Sequence, residues 1–102
     1  MMVEIEENSI SAQRIKNENL IVNIISEKFA LKHKRLIWDD SVWKYDIYSK
    51  KVLFKTYLGY VYPSEHRAFT HVVLGGDPNL FMETAKKLEA NGIEVTIQTP
   101  ML

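Results

Sequence analysis

The chain contains no cysteine in its 102 residues. A disulfide framework, a thiolate nucleophile and a Cys-ligated zinc are therefore all excluded. No apolar run approaches the roughly 18 residues that span a bilayer. The opening residues Met1 and Met2, followed by Glu4, Glu6 and Glu7, lack the basic flank and apolar centre of a secretory signal. A cytoplasmic location without membrane association is the expectation. Net charge is also absent, because 13 Lys and Arg balance 13 Asp and Glu. A dedicated nucleic-acid binder usually carries a large basic surplus. His33, His66 and His71 have no mutual spacing of the kind that holds a metal on one helix or strand, and neither a Walker lysine nor a G-x-G-x-x-G run occurs. No cofactor and no metal are expected.

What is present is ordinary in bulk and uneven in detail. Hydrophobic content of 46% and charged content of 25% suit one globular domain over residues 1–102, large enough for a core. Residues 1–13 carry a charge of −3, residues 14–55 carry +5 and residues 56–102 carry −2. The aromatics are concentrated as well. Eight of eleven lie between Lys32 and Tyr62: Trp38, Trp43, Tyr45, Tyr48, Phe54, Tyr57, Tyr60 and Tyr62.

Hydrophobic periodicity divides the chain into elements. Residues 1–9 read as an acidic flexible tail or a short edge strand, since Val3 and Ile5 alternate with Glu4 and Glu6. Leu20, Ile21, Ile24, Ile25 and Phe29 recur at helical spacing and predict a helix over 11–30, capped by Ser9, Ser11 or Asn17. From Leu31 the period becomes two. A strand to Trp38, a turn at Asp39-Asp40-Ser41, a strand to Tyr48 and a long strand from Val52 to Tyr62 follow, with a bulge or bend expected at Gly59. Pro63 closes the meander. Phe69 to Leu74 reads as a buried strand ended by Gly75-Gly76. Asp77 then caps a helix with Pro78 at its first position, and Asn91-Gly92 ends it. Ile93, Val95 and Ile97 form the last strand. The order α-β-β-β-β-α-β predicts an α+β domain: about five mostly antiparallel strands with two helices on one face. The expected core includes Leu20, Ile24, Ile25, Phe29, Val73, Leu80, Leu88, Val95 and Ile97.

Few residues offer chemistry. Gly75-Gly76-Asp77 at a helix start invites a phosphate, but a capping aspartate occupies those donors and repels an anion. Helix, three-stranded meander, helix and strand is also the core order of the PD-(D/E)xK nucleases. That resemblance implies an acid on the second strand, for which Asp46 stands, and Glu-x-Lys on the third. Leu53-Phe54-Lys55 has leucine where the second acid belongs. A nuclease-like enzyme, active or degenerate, is therefore only the third reading. His71 alternates with apolar residues and reads as a core histidine. Glu65-His66-Arg67 reads as a solvated loop, and Asp39-Asp40 as a turn.

The aromatic and basic hairpin carries the functional expectation. One face of such a sheet packs under helices, so some of Tyr48, Tyr57, Tyr60 and Tyr62 remain exposed. Tyrosine is a type that carries binding energy in interfaces. The leading expectation is a small non-enzymatic factor, accessory or inhibitory, of the kind mobile elements encode, acting on a protein partner through these tyrosines. The alternative is a nucleic-acid-binding regulator that uses Lys32, Lys34, Arg35, Lys50, Lys51 and Lys55. A homodimer is a further expectation, because an exposed aromatic strand also pairs with its own copy.

Overall fold

The computed structural model describes residues 2–36, 39–51, 55–64 and 68–99. The elements run α1 (Met2–Ser26), β1 (Ala30–Leu36), β2 (Asp39–Tyr48), β3 (Tyr57–Pro63), β4 (His71–Gly76), α2 (Pro78–Ala90) and β5 (Glu94–Gln98). They build one five-stranded sheet in the order β1-β2-β3-β4-β5. The first four strands are antiparallel and β5 joins β4 in parallel. A parallel neighbour needs a crossover connection, and α2 provides it. The α+β architecture expected from the periodicity is the one observed.

Helix α1 is longer than its apolar repeat. It starts at Met2, so residues 2–9 are helical rather than a tail or an edge strand. No Gly or Pro interrupts the segment, and Glu4, Glu6 and Glu7 lie near the N-terminus, where the helix dipole favours negative charge. Ser9, Ser11 and Asn17 are consequently inside the helix rather than at its N-cap. The Asn17 side chain instead donates to the Ala68 carbonyl at 2.7 Å. The helix ends at Ser26, short of Ala30, which already pairs with Tyr48 in the sheet. Twenty-five residues make a rod of about 37 Å in a molecule of 51 × 31 × 28 Å.

The core forms between the helices and one face of the sheet. Ile21, Ile24, Ile25 and Phe29 meet Phe81, Ala85 and Leu88 of α2 over Trp43, Ile47, Val61, Val72 and Leu74. Phe29 and Phe81 touch edge to face, with ring centroids 5.3 Å apart. Lys28–Glu83 and Lys87–Glu27 ion pairs bridge the helices at the surface. The hydrogen bond from Lys28 holds the Glu83 carboxyl below its ordinary range. α2 begins as expected: the Asp77 side chain accepts from the Asn79 backbone N–H at 2.9 Å, and Gly92 with φ +85° follows its end.

Several expectations about individual positions are corrected. β2 begins at Asp39, and Leu36 pairs with Asp39 across the hairpin. Asp39 and Asp40 therefore lie in a strand, while Ile37 and Trp38 are outside the described residues. β3 starts only at Tyr57; Val52, Leu53 and Phe54 are outside the described residues, and Lys55 and Thr56 are not in a strand. Gly75 and Gly76 belong to β4 and pair with Tyr60 and Gly59. Leu80 is 41% exposed, because the inward stripe of α2 is Phe81, Thr84, Ala85 and Leu88 and Leu80 lies one residue off it. Leu20, Val95 and Ile97 border the core, half-buried. Val73 is buried, but it pairs with Tyr62 on the opposite face of the sheet. Phe69 precedes β4 with φ 57°, an uncommon backbone region for an aromatic residue. Trp43 packs on its ring edge-on at 5.6 Å, and the Arg14 guanidinium lies 5.5 Å from the ring centre.

Candidate functional site

Alternation along the strands sorts every side chain to one face or the other. Leu31, His33, Trp43, Tyr45, Ile47, Val61, Val72, Leu74, Val95 and Ile97 share the face that the helices cover. Tyr45 reaches α1 there, its hydroxyl donating to Glu18 at 2.7 Å. Burial, then the bonded carboxylate, raise the Tyr45 phenol well above its ordinary pKa. The cross-strand register gathers a second set on the other face: Lys32, Lys34, Lys44, Asp46, Tyr48, Tyr57, Tyr60, Tyr62, His71, Val73, Gly75, Glu94, Thr96 and Gln98. No described helix lies over this second face.

A bulge completes the set. Consecutive residues Ile47 and Tyr48 pair with Gly59 and Tyr57, so Leu58 is skipped. Uninterrupted alternation would put Tyr57 on the face opposite Tyr60 and Tyr62. The extra residue turns Leu58 toward the core, which it joins at the edge, and turns Tyr57 toward Tyr48, with ring centroids 5.6 Å apart. All four predicted tyrosines thereby share one surface. Tyr57 is 53% exposed; Tyr48, Tyr60 and Tyr62 are half-buried.

The tyrosines are held in place. The Tyr60 ring lies over Gly75, where a Cβ would fall 2.1 Å from the ring, and its hydroxyl donates to Gln98 on β5. Tyr62 stacks beside it at 5.8 Å and 19°. The Lys44 ammonium sits 4.7 Å from the centre of the Tyr60 ring. Between the tyrosines Asp46 is buried, 4% exposed, and Lys34 bonds it at 2.9 Å. That hydrogen bond raises the Lys34 pKa, and burial followed by the Asp46 charge raises that of Tyr57. A recess of about 210 Å³ opens beside Tyr57 and Tyr60, reaching Gly59, Gly75, Gly76 and Gln98.

The predicted basic set does not stay together. Lys32 and Lys34 stand on the tyrosine face, on edge strand β1. Lys50, Lys51 and Lys55 are exposed in the β2–β3 connection, away from it. Arg35 is placed by its backbone register opposite Trp43, its side chain lying outside the described set. His71 is not a core histidine. It faces outward, its Nε2 2.8 Å from the Thr96 hydroxyl and its Nδ1 3.8 Å from Glu94. Of the nuclease-like positions, Asp46 is bonded by Lys34, Lys55 precedes β3 and Leu53 is outside the described residues. Lys44 and Gln98 are members of the face that the sequence did not single out, and Asp46 was singled out only as a nuclease-like acid. A two-residue period running from Lys44 through Asp46 to Tyr48 was the available signal. Among the described residues no helix is long and apolar enough to cross a membrane.

Compared with protein families, with curated proteins and with solved structures, the chain matches none.

Proposed function

We propose that this protein is a small non-enzymatic binding factor, accessory or inhibitory in action, that engages a protein partner through the uncovered face of its sheet. One observation carries the reading: the bulge at Leu58 brings Tyr48, Tyr57, Tyr60 and Tyr62 onto a single face that no described helix covers. Interface anchors are large, amphipathic and already ordered, so that little side-chain entropy is lost on association. Tyr60, held against Gly75 and bonded to Gln98, fits that description. The recess beside Tyr57 offers a partner side chain somewhere to insert.

The cations favour a protein over a nucleic acid. Phosphate binding draws on Lys and Arg that are available to replace counterions. On this face Lys34 is bonded to Asp46 and Lys44 is spread over Tyr60. Lys32, exposed on edge strand β1, is the one other lysine described on this face, and Lys50, Lys51 and Lys55 lie elsewhere.

The test is affinity capture by the 102-residue chain from a host lysate, with and without nuclease. The captured species is then titrated against folded Tyr57→Ala/Tyr60→Ala and Lys50→Ala/Lys51→Ala variants. A nuclease-insensitive protein whose affinity falls by about 2 kcal/mol or more in the tyrosine variant alone is the expected result. Salt-sensitive DNA or RNA binding lost only in the lysine variant would transfer the function to nucleic acid. Capture of a second copy of this chain would make the face a homodimer interface, and full affinity in both variants would remove it as the working surface.

A further inference from the structure

Two of the lysines set apart from the tyrosine face, Lys50 and Lys51, line one recess together with Lys28. The turn after α1, the described ends of the β2–β3 connection and the first turn of α2 border this open recess of about 460 Å³. Its walls carry Lys28, Lys50 and Lys51, its apolar surface is Phe29, Leu58 and Leu80, and Ser49 and Thr56 close one side. Among the described residues no carboxylate lines it. Lys28 is paired outward with Glu83; among the described residues neither Lys50 nor Lys51 has an ion-pair partner. Leu80, which leaves the core stripe of α2, contributes its exposed side chain here. Leu80 therefore presents apolar surface to the recess rather than to the core stripe of α2.

We propose that this recess binds an acidic peptide segment carrying an apolar anchor residue. Charge complementarity selects the sign of the ligand, since the charged side chains among the described lining residues are Lys28, Lys50 and Lys51. The apolar surface selects its second property. A side chain set on Phe29, Leu58 and Leu80 is removed from water, while flanking carboxylates reach the rim lysines as charge-assisted hydrogen bonds. The openness of the recess favours a peptide over a small organic anion, because small-molecule sites enclose most of their ligand's surface. The site is independent of the tyrosine face, from which it is separated by the sheet.

A random-peptide display library panned on the 102-residue chain tests this. Bound peptides are expected to share Asp or Glu around a Leu, Ile or Phe. They should lose at least tenfold in affinity against Lys50→Glu/Lys51→Glu and against Leu80→Ser, and keep it against Tyr57→Ala/Tyr60→Ala. Leu80 is solvent-exposed, so its replacement leaves the fold intact, and circular dichroism verifies this for each variant. Selected peptides without acidic residues, peptides indifferent to Leu80→Ser, or equal binding by a purely polar polyglutamate would each overturn the proposal. Loss confined to the tyrosine variant would assign the peptides to the other face.

Discussion

Gly75 shows how one missing side chain shapes a surface. A Cβ there would meet the end of the Tyr60 ring, at 2.1 to 2.5 Å, whereas a Cβ on Gly59 would meet the Gly75 carbonyl oxygen at 1.8 Å. A ring end swings away; a paired backbone does not. Gly75→Ala is therefore expected to cost only about 1 kcal/mol, the scale of the lost Tyr60–Gln98 hydrogen bond. Gly59→Ala should cost at least the roughly 3 kcal/mol seen at the top of the overpacking range. Denaturant melts of both variants measure the difference. Equal costs would show that Tyr60 is not resting on Gly75. Trp43 marks the opposite situation: its indole N–H is buried without a hydrogen-bond partner among the described residues, while its ring packs on Phe69 and Tyr45.

At the level of elements, the two helices depend on each other through few but fully buried residues. Ile25 and Leu88 are both 0% exposed and belong to the same cluster. Truncating either to alanine removes apolar contact and leaves a cavity that rigid strands cannot close. Each of Ile25→Ala and Leu88→Ala should lower stability by about 2–5 kcal/mol. Leu80→Ala on the same helix should stay within about 1 kcal/mol, because its side chain is already partly in water. Urea titrations of the three variants decide this. A Leu80 effect as large as that of Leu88 would place α2 in a different rotation. The Lys28–Glu83 and Lys87–Glu27 bridges lie at the surface, where such pairs contribute little.

For the molecule as a whole, the shifted groups predict an alkaline limit. The Tyr45 phenol and the Lys34 ammonium both titrate above their ordinary values in the folded protein. A raised folded pKa means that the stabilisation is complete below the unfolded pKa, about 10 for tyrosine and 10.4 for lysine. It is lost as pH rises beyond that toward the folded values. Melting temperature is expected to be flat from neutrality to about pH 9.5 and to fall above it. Tyr45→Phe, which has no phenol to ionise, should fall less steeply while starting lower, because the bond to Glu18 is gone. Parallel declines for the two proteins would mean that Tyr45 is not protected from ionisation by the fold.

The division of labour between chain and fold follows from how far each signal reaches. Element types and order were legible because they rest on local periodicity: Ile21, Ile24 and Ile25 repeat at the helical interval, and Asp77-Pro78 and Gly92 punctuate α2 by their own backbone chemistry. The aromatic concentration was equally legible, being composition alone. Its arrangement was not. Strict alternation separates Tyr57 from Tyr60, and only the pairing of β3 with β2, where Leu58 is skipped, unites them. The same limit explains Leu80 and His71. Whether an apolar or half-polar residue is buried depends on which element arrives over it, and that is decided by contacts far apart in the chain. Asp46 is the plainest case: nothing around it in sequence marks it as buried, and its partner Lys34 reaches it only across the β1–β2 pairing. The sequence by itself determined that this chain would form helices and an aromatic sheet; the tertiary structure decided which side of the sheet would face the solvent, because a face exists only once strands have been registered and helices laid against one side.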